Sequence, residues 1–378
     1  MRIAFFADSY KPYLSGVTNT AEILVNELRQ LGHKVYVLAP RYPGHVDNDP
    51  DIIRFPSFSG GYPKFRLAIP IVRQIPEVDI IHSHSPFQAG LLARFIAHRR
   101  RIPFVYSFHT FFTRYVHYAR FVPTALTKMG IVAYLRAFCR GADQIITPSE
   151  MAKRALRAWH IKQPIAIIPS GVELHKYPAD LAAARRRLRH KYGIGEHEKV
   201  LLYAGRLSKE KNLPFILKAF SQLSTVRCSL VLVGGGPMEI ELKSQKLKVK
   251  SIVLTGEIPY PEILSYYTMG DVFVFSSTTE TQGMVLAEAK AAGLPIVALF
   301  AGGLTGSVRS GIDGYLVRRD LDAFVEHIER LLADDVLRQK MALAAAADAR
   351  ERFSSFVVAK QVESVYNSLI KDAKRGEQ

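Results

Sequence analysis

Two doubly wound α/β domains are what this sequence predicts, on three observations. A chain of 378 residues exceeds what one ordinary hydrophobic core serves. Short β-rich apolar runs alternate with helical patterns, the mark of βαβ units and parallel sheets. The alternation runs through the first half and starts again in the second.

In the first half the strands read R-I-A-F-F-A, K-V-Y-V-L-A, D-I-I-H-S-H, F-V-Y-S-F-H and Q-I-I-T-P-S. The helix between the first two covers about 19–31 and stops at Gly32, a residue suited to a helix C-terminus. I-A-I-I-P-S-G-V-E follows at 165–173, then the charged helical stretch A-A-A-R-R-R-L-R-H-K-Y-G, read as a bridge between domains. In the second half K-V-L-L-Y-A-G-R, S-L-V-L-V-G-G-G, S-I-V-L-T-G, D-V-F-V-F-S-S and P-I-V-A-L-F are buried strands with helices between them. The final segment, S-S-F-V-V-A-K-Q-V-E-S-V-Y-N-S-L-I, spaces its apolar residues as a helix does. The expected boundaries are 1–175 for the first domain, 176–198 for a linker and 199–354 for the second domain. Residues 355–378 are expected to form a C-terminal helix packing back toward the first.

Hydrophobic content of 48% and charged content of 22% are those of a globular protein. Cys139 and Cys228 supply neither a disulfide framework nor metal-ligand spacing, which suits a reducing compartment. The N-terminus runs into a strand without a signal-peptide pattern. No apolar run reaches the ~18 residues of a membrane span. Net charge is +17, and residues 1–178 carry +12 of it. The first half therefore expects an anionic partner: nucleic acid, an anionic membrane surface or a phosphorylated substrate. No recognised nucleic-acid module accompanies the charge, and V-G-G-G-P-M-E lacks the glycine spacing of a dinucleotide site.

Ligands of such sheets sit at the carboxyl ends of strands. Y-A-G-R-L-S-K-E-K-N places Arg206 and Lys211 just past one strand, a planar fork and a point charge suited to phosphate oxygens. E-T-Q-G-M-V-L-A-E-A, past another strand, sets Glu280 before a turn at Gly283 and Glu288 inside the helix that follows. Free N–H groups at that helix start suit a phosphate. Glu280 is placed to accept from sugar hydroxyls and Glu288 from the two hydroxyls of a ribose. Gly16 opens a third helix-starting loop, and His109 ends the strand F-V-Y-S-F-H.

Taken together, G-R-L-x-x-x-K-N, the two glutamates eight positions apart and P-S-G-V-E resemble glycosyltransferase family 4 over nearly the whole chain. The resemblance implies the GT-B fold, two Rossmann-like domains facing a central cleft, and transfer with retention of anomeric configuration. Within the family, S-G-V-T-N-T, S-F-H-T-F-F-T-R-Y-V-H-Y and E-T-Q-G look most like the bacterial diacylglycerol glucosyltransferases, which move glucose from UDP-glucose to a membrane lipid such as 1,2-diacylglycerol. By that resemblance Arg206 and Lys211 neutralise the donor diphosphate, and Glu280 binds the transferred hexose. Backbone N–H groups around Gln282, Gly283, Met284 and Val285 touch sugar and distal phosphate, and Glu288 holds the ribose. Gly16 admits the donor phosphates and the acceptor, and His109 reaches the sugar from across the cleft. Gln282 stands where many relatives have an aromatic residue, and Ser15 where they often have a second glycine.

The mechanism the family implies is front-face attack, with the leaving phosphate helping to deprotonate the acceptor. Glu280, His109, Arg206 and Lys211 are the catalytic candidates, and no metal or cofactor is expected. D-N-D at 47–49 sits in a polar loop away from the inferred diphosphate site, and His82 and His84 are expected to line a cleft or bond locally. The basic, apolar segment 114–140, with R-R-R at 99–101, is expected to lie on an anionic bilayer at the inner face of the cell membrane. Tyr115, His117, Arg120, Lys128 and Arg136 are its candidate acceptor or membrane contacts. Galactose presents hydroxyls much like those of glucose, and phosphatidylinositol or a soluble sugar remains an alternative acceptor. The reading from another class is a basic nucleic-acid-binding protein.

Overall fold

The computed structural model describes residues 1–13, 15–59, 66–69, 71, 75–114, 124–224, 227–246 and 251–376. The chain forms two compact units, residues 1–171 with 355–378, and residues 172–354.

The first unit opens with β1 (Arg2–Phe6), α1 (Gly16–Gln30), β2 (Lys34–Pro40), β3 (Ile52–Phe55), β4 (Ser57–Ser59) and β5 (Arg66–Ala68). It continues with β6 (Ile80–Ser83), α2 (Gln88–Arg100), β7 (Phe104–Ser107), α3 (Thr124–Cys139), β8 (Gln144–Thr147), α4 (Glu150–Ala158) and β9 (Ile165–Ile167). Seven strands make one sheet in the order β3-β2-β1-β6-β7-β8-β9, and every pairing in it is parallel. Parallel strands covered on both faces become continuous apolar runs, hence the full burial of β6 and β7. The short edge strand β3 and the antiparallel ribbon β4–β5 carry no such run and are not marked in the sequence.

The second unit contains α5 (Leu181–Lys191), β10 (Lys199–Ala204), α6 (Leu213–Gln222), β11 (Cys228–Val233), α7 (Glu239–Lys246), β12 (Ile252–Leu254) and α8 (Ile263–Tyr266). There follow β13 (Val272–Phe275), α9 (Met284–Ala291), β14 (Ile296–Leu299), β15 (Gly314–Val317), α10 (Leu321–Ala333) and α11 (Asp335–Asp348). Its parallel sheet runs β12-β11-β10-β13-β14-β15. Helix α5, expected as a bridge, makes its contacts inside this unit. Arg185 and Arg189 reach Asp271 at 2.7 and 2.8 Å, and Arg189 also donates to backbone carbonyls of Met269 and Glu198. A run of arginines thus serves as internal fastening. Helix α12 (Ser355–Gly376) returns to the first unit, where Ser355 Oγ donates to Glu27 Oε1 on α1 at 2.5 Å.

Candidate functional site

In the second sheet β10 is flanked by β11 on one side and β13 on the other. Strand order reverses there, and the crevice past the carboxyl ends is where such a sheet takes a ligand. The loop after β10 carries Arg206 and Lys211, and the loop after β13 carries Glu280. Neighbouring strands bring the two loops together. Lys211 Nζ donates to Glu280 Oε1 at 2.5 Å, and Ser277 Oγ donates to the same oxygen at 3.1 Å. Ser276 Oγ reaches the carbonyls of Lys211 and Asn212 at 2.7 and 2.9 Å, stitching loop to loop. Arg206, on the same loop as Lys211, is exposed, its backbone carbonyl accepting from Tyr203 Oη at 3.2 Å.

The glycine run after β11 supports the cationic loop. A Cβ on Gly234 would lie 2.2 Å from the Gly205 carbonyl oxygen, so only glycine lets the two backbones pass this closely. Gly283 precedes α9 with φ +75°, a left-handed conformation that turns the chain into the helix. Gln282 is buried, and its backbone carbonyl accepts from Ser307 Oγ at 2.9 Å. Met284 and Val285 open α9, half-buried. Glu288 lies one turn further, with Oε2 accepting from Tyr267 Oη at 2.5 Å and its backbone carbonyl from Tyr177 Oη at 2.7 Å. Burial raises the Glu288 carboxyl pKa, and the Tyr267 hydrogen bond opposes that rise. Tyr267 and Tyr177 are not legible as site residues in the sequence, since aromatic residues there read simply as core.

In the first unit the order reverses between β1 and β6. Gly16 is the exposed first residue of α1, with Ser15 Oγ capping the helix by accepting from the Thr18 amide at 3.1 Å. His109 follows β7, its Nε2 3.0 Å from Nδ1 of His84. Burial pushes the His109 pKa down to about 4 and that of His84 well below its usual value. His82 is fully buried between Tyr366 Oη at 2.5 Å and Ser107 Oγ at 2.8 Å. The carboxylates of the D-N-D stretch are engaged by arginines: Asp47 with Arg54 at 2.7 Å, Asp49 with Arg29 at 2.6 Å. Lys128 is exposed and Arg136 half-buried on α3, while Tyr115, His117 and Arg120 lie outside the described residues. Among the described residues no helix is long and apolar enough to cross a membrane.

Solved structures of this shape include sucrose-phosphate synthase from Thermosynechococcus elongatus. It has a TM-score of 0.76 and 21% identity, over 98% of this chain and 99% of that one. Anabaena Alr3699/HepE in complex with UDP and glucose matches at a TM-score of 0.75 and 20% identity, over 97% and 100%. The architecture is the GT-B fold of glycosyltransferases. The profile described as Glycosyltransferase Family 4 matches residues 14–176, and that described as Glycosyl transferases group 1 matches residues 184–348. The alpha-monoglucosyldiacylglycerol synthase of Streptococcus pneumoniae is 35% identical over 320 residues, 79% of this chain and 71% of that protein. The enzyme of the same name from Acholeplasma laidlawii is 29% identical over 98% of each. The chain belongs to glycosyltransferase family 4.

Proposed function

We propose that this glycosyltransferase moves a hexose, glucose from UDP-glucose, with retention of configuration, onto a lipid acceptor such as 1,2-diacylglycerol at an anionic membrane surface. The observation that carries the donor half is the pairing of Lys211 with Glu280 at one strand-order reversal, ahead of the α9 N-terminus, on a loop that also bears the exposed Arg206. The relatives' names support the lipid acceptor, and solved neighbours hold UDP and UDP-glucose.

In this reading the diphosphate takes the Lys211 ammonium and the Arg206 guanidinium, and Glu280 turns to the hydroxyls of the hexose. Amide groups from Gln282 to Val285 meet sugar and distal phosphate, while Glu288 accepts from the ribose. Gly16 and His109 of the first unit serve the donor's phosphates and sugar. Negative charge grows on departing UDP as the anomeric bond breaks, and fixed positive groups stabilise it without reorganising. The acceptor hydroxyl attacks from the same face and yields its proton to the leaving phosphate, so the enzyme forms no covalent intermediate.

The membrane half rests on α2 and α3. Neither helix contains Asp or Glu. Leu91 and Phe95 of α2 and Leu126 and Met129 of α3 are exposed, beside the exposed basic residues Arg99, Arg100 and Lys128. Arg94 Nη1 donates to the Ala137 carbonyl at 2.7 Å, which holds α2 against α3. Apolar side chains flanked by cations suit an anionic interface, each cation contributing about 1 kcal/mol.

The test is a screen of nucleotide sugars against acceptors presented in vesicles with and without anionic lipid, read by mass spectrometry. Glucosyl-diacylglycerol formation, stimulated by anionic lipid and weakened by salt, is expected. Transfer to a soluble sugar alone, or duplex DNA binding with UDP-glucose left intact, would overturn the reading.

A further inference from the structure

Glu288, assigned to the ribose, is held at two points, its carboxylate and its backbone carbonyl. Tyr267 is wholly buried, on a short turn (Tyr267–Met269) ahead of β13, its ring 5.8 Å from that of Phe273. Its hydroxyl donates to Glu288 Oε2 at 2.5 Å. Tyr177, just after the turn Leu174–Lys176, donates to the backbone carbonyl of Glu288 at 2.7 Å. The segment bearing Tyr177 is itself pinned. Glu173 Oε2 accepts from Tyr260 Oη at 2.7 Å and lies 2.8 Å from Lys176 Nζ, and that ammonium sits 5.3 Å from the centre of the Tyr260 ring.

We propose that Tyr267 is a positioning residue for nucleotide binding: its hydroxyl fixes one oxygen of Glu288 so that the carboxylate meets the vicinal hydroxyls of the ribose in one orientation. The proposal rests on reading Glu288 as the ribose ligand. A carboxylate left to rotate in an apolar surround must be ordered when the diol arrives, and that cost comes out of affinity. The hydroxyl also bears on charge. Burial disfavours the carboxylate and Tyr267 favours it, so loss of the hydroxyl moves the Glu288 pKa further upward. The ionisable groups facing Glu288 are Tyr267 and Tyr177, with Tyr203 behind Tyr267. Lys290, two residues along α9, is turned away to Asp313 and Asp348.

The experiment is calorimetric titration of UDP, and of its 2′,3′-dideoxy analogue, into the parent, Tyr267→Phe and Glu288→Ala from pH 5.5 to 8.5. Tyr267→Phe removes one oxygen and keeps the ring. Its UDP affinity is expected to fall roughly tenfold at neutral pH, as for a hydrogen bond to a charged group. The loss should deepen as pH falls and vanish with the dideoxy analogue. A loss independent of pH and equal for both nucleotides would show a packing role and overturn the proposal. Parental affinity in Tyr267→Phe with weakened binding in Glu288→Ala would overturn it too, while sparing the ribose assignment. Equal binding of UDP and its dideoxy analogue by the parent would remove that assignment and the proposal with it.

Discussion

In the first unit strand order reverses between β1 and β6; in the second it reverses between β10 and β13. Both reversals gather loops at the carboxyl ends of strands, yet the side chains gathered differ in kind. In the first the contacts between the loops past β1 and β6 are hydrogen bonds, the Asp8 carboxylate accepting from the Ala89 amide at 2.8 Å. The Asp8 amide donates to Ser85 Oγ at 3.0 Å, and His84 meets His109 at 3.0 Å through ring nitrogens that cannot both carry protons. In the second they are ionic, Lys211 on Glu280 at 2.5 Å, and Arg206 is exposed on the same loop as Lys211. Shared topology fixes where a ligand goes, and the loop residues fix what charge it must bring. A neutral imidazole suits hydroxyls. An ion pair at a loop suits a ligand able to take the cation from its carboxylate, as a diphosphate does.

The contrast extends into the cores, and there the largest effect is expected. Lys290 on α9 is wholly buried, 3.0 Å from Asp313, in contact with Asp348, and 3.0 Å from the Ser307 carbonyl. Arg309 and Arg352 complete the cluster at 2.6 Å from Asp313 and Asp348. Removing one partner of a buried ion pair costs roughly 3–5 kcal/mol, because the charges left behind stay desolvated. Lys290→Met is expected to lower stability to urea by about 3 kcal/mol, the two arginines sparing the rest. A loss below about 1 kcal/mol would show that the arginines alone neutralise both aspartates, leaving the second core no more charge-dependent than the first.

Next comes the Lys211–Glu280 pair. On the proposed reading Lys211→Ala removes a cation from where charge would develop, and kcat is expected to drop roughly 10²–10³-fold. Glu280→Gln separates the partners in the opposite sense. It frees the Lys211 ammonium from a competing carboxylate, so UDP is expected to bind more tightly than to the parent while transfer is lost. Titration of UDP into Glu280→Gln checks this. Weaker binding would mean the carboxylate orients Lys211 for phosphate instead of competing for it.

These two sites also mark what the sequence discloses. Val272–Phe275 is an unbroken apolar run, so β13 is legible, and with it the loop that bears Glu280. Arg206 and Lys211 are legible for the same reason, since charge directly after a buried strand has to face the ligand end of the sheet. The partners are not. Tyr267 lies 21 residues from Glu288, Asp348 lies 58 from Lys290, and Tyr366 lies 284 from His82. No local period links such pairs, and each tyrosine reads by itself as core. Strand β15 is only G-Y-L-V, too short to announce itself. The arginines of α5 misdirect in the other direction. Their charge reads as a bridge between domains, whereas Arg189 is buried and spends its donors on carbonyls and Asp271.

The smallest effect concerns the neutral side of the comparison. Burial lowers the pKa of His82 to about 3 and of His109 to about 4, against 6.5 for the free side chain. A base whose folded pKa is depressed leaves the unfolded chain binding more protons below pH 6.5, so stability falls with pH from there toward pH 4. Each such histidine contributes about 1.4 kcal/mol per pH unit in that window. Trp159 is the sole tryptophan and packs edge-on to Phe108 and Phe111, so its fluorescence reports the first unit alone. Its urea midpoint is expected to drop between pH 6.5 and pH 5 and to change little between pH 7 and pH 8. His109→Asn should flatten the acid limb by one histidine's share. A midpoint indifferent to pH over 6.5 to 5 would mean that the first unit already tolerates protonated imidazoles, and the neutral–ionic distinction between the units would fall.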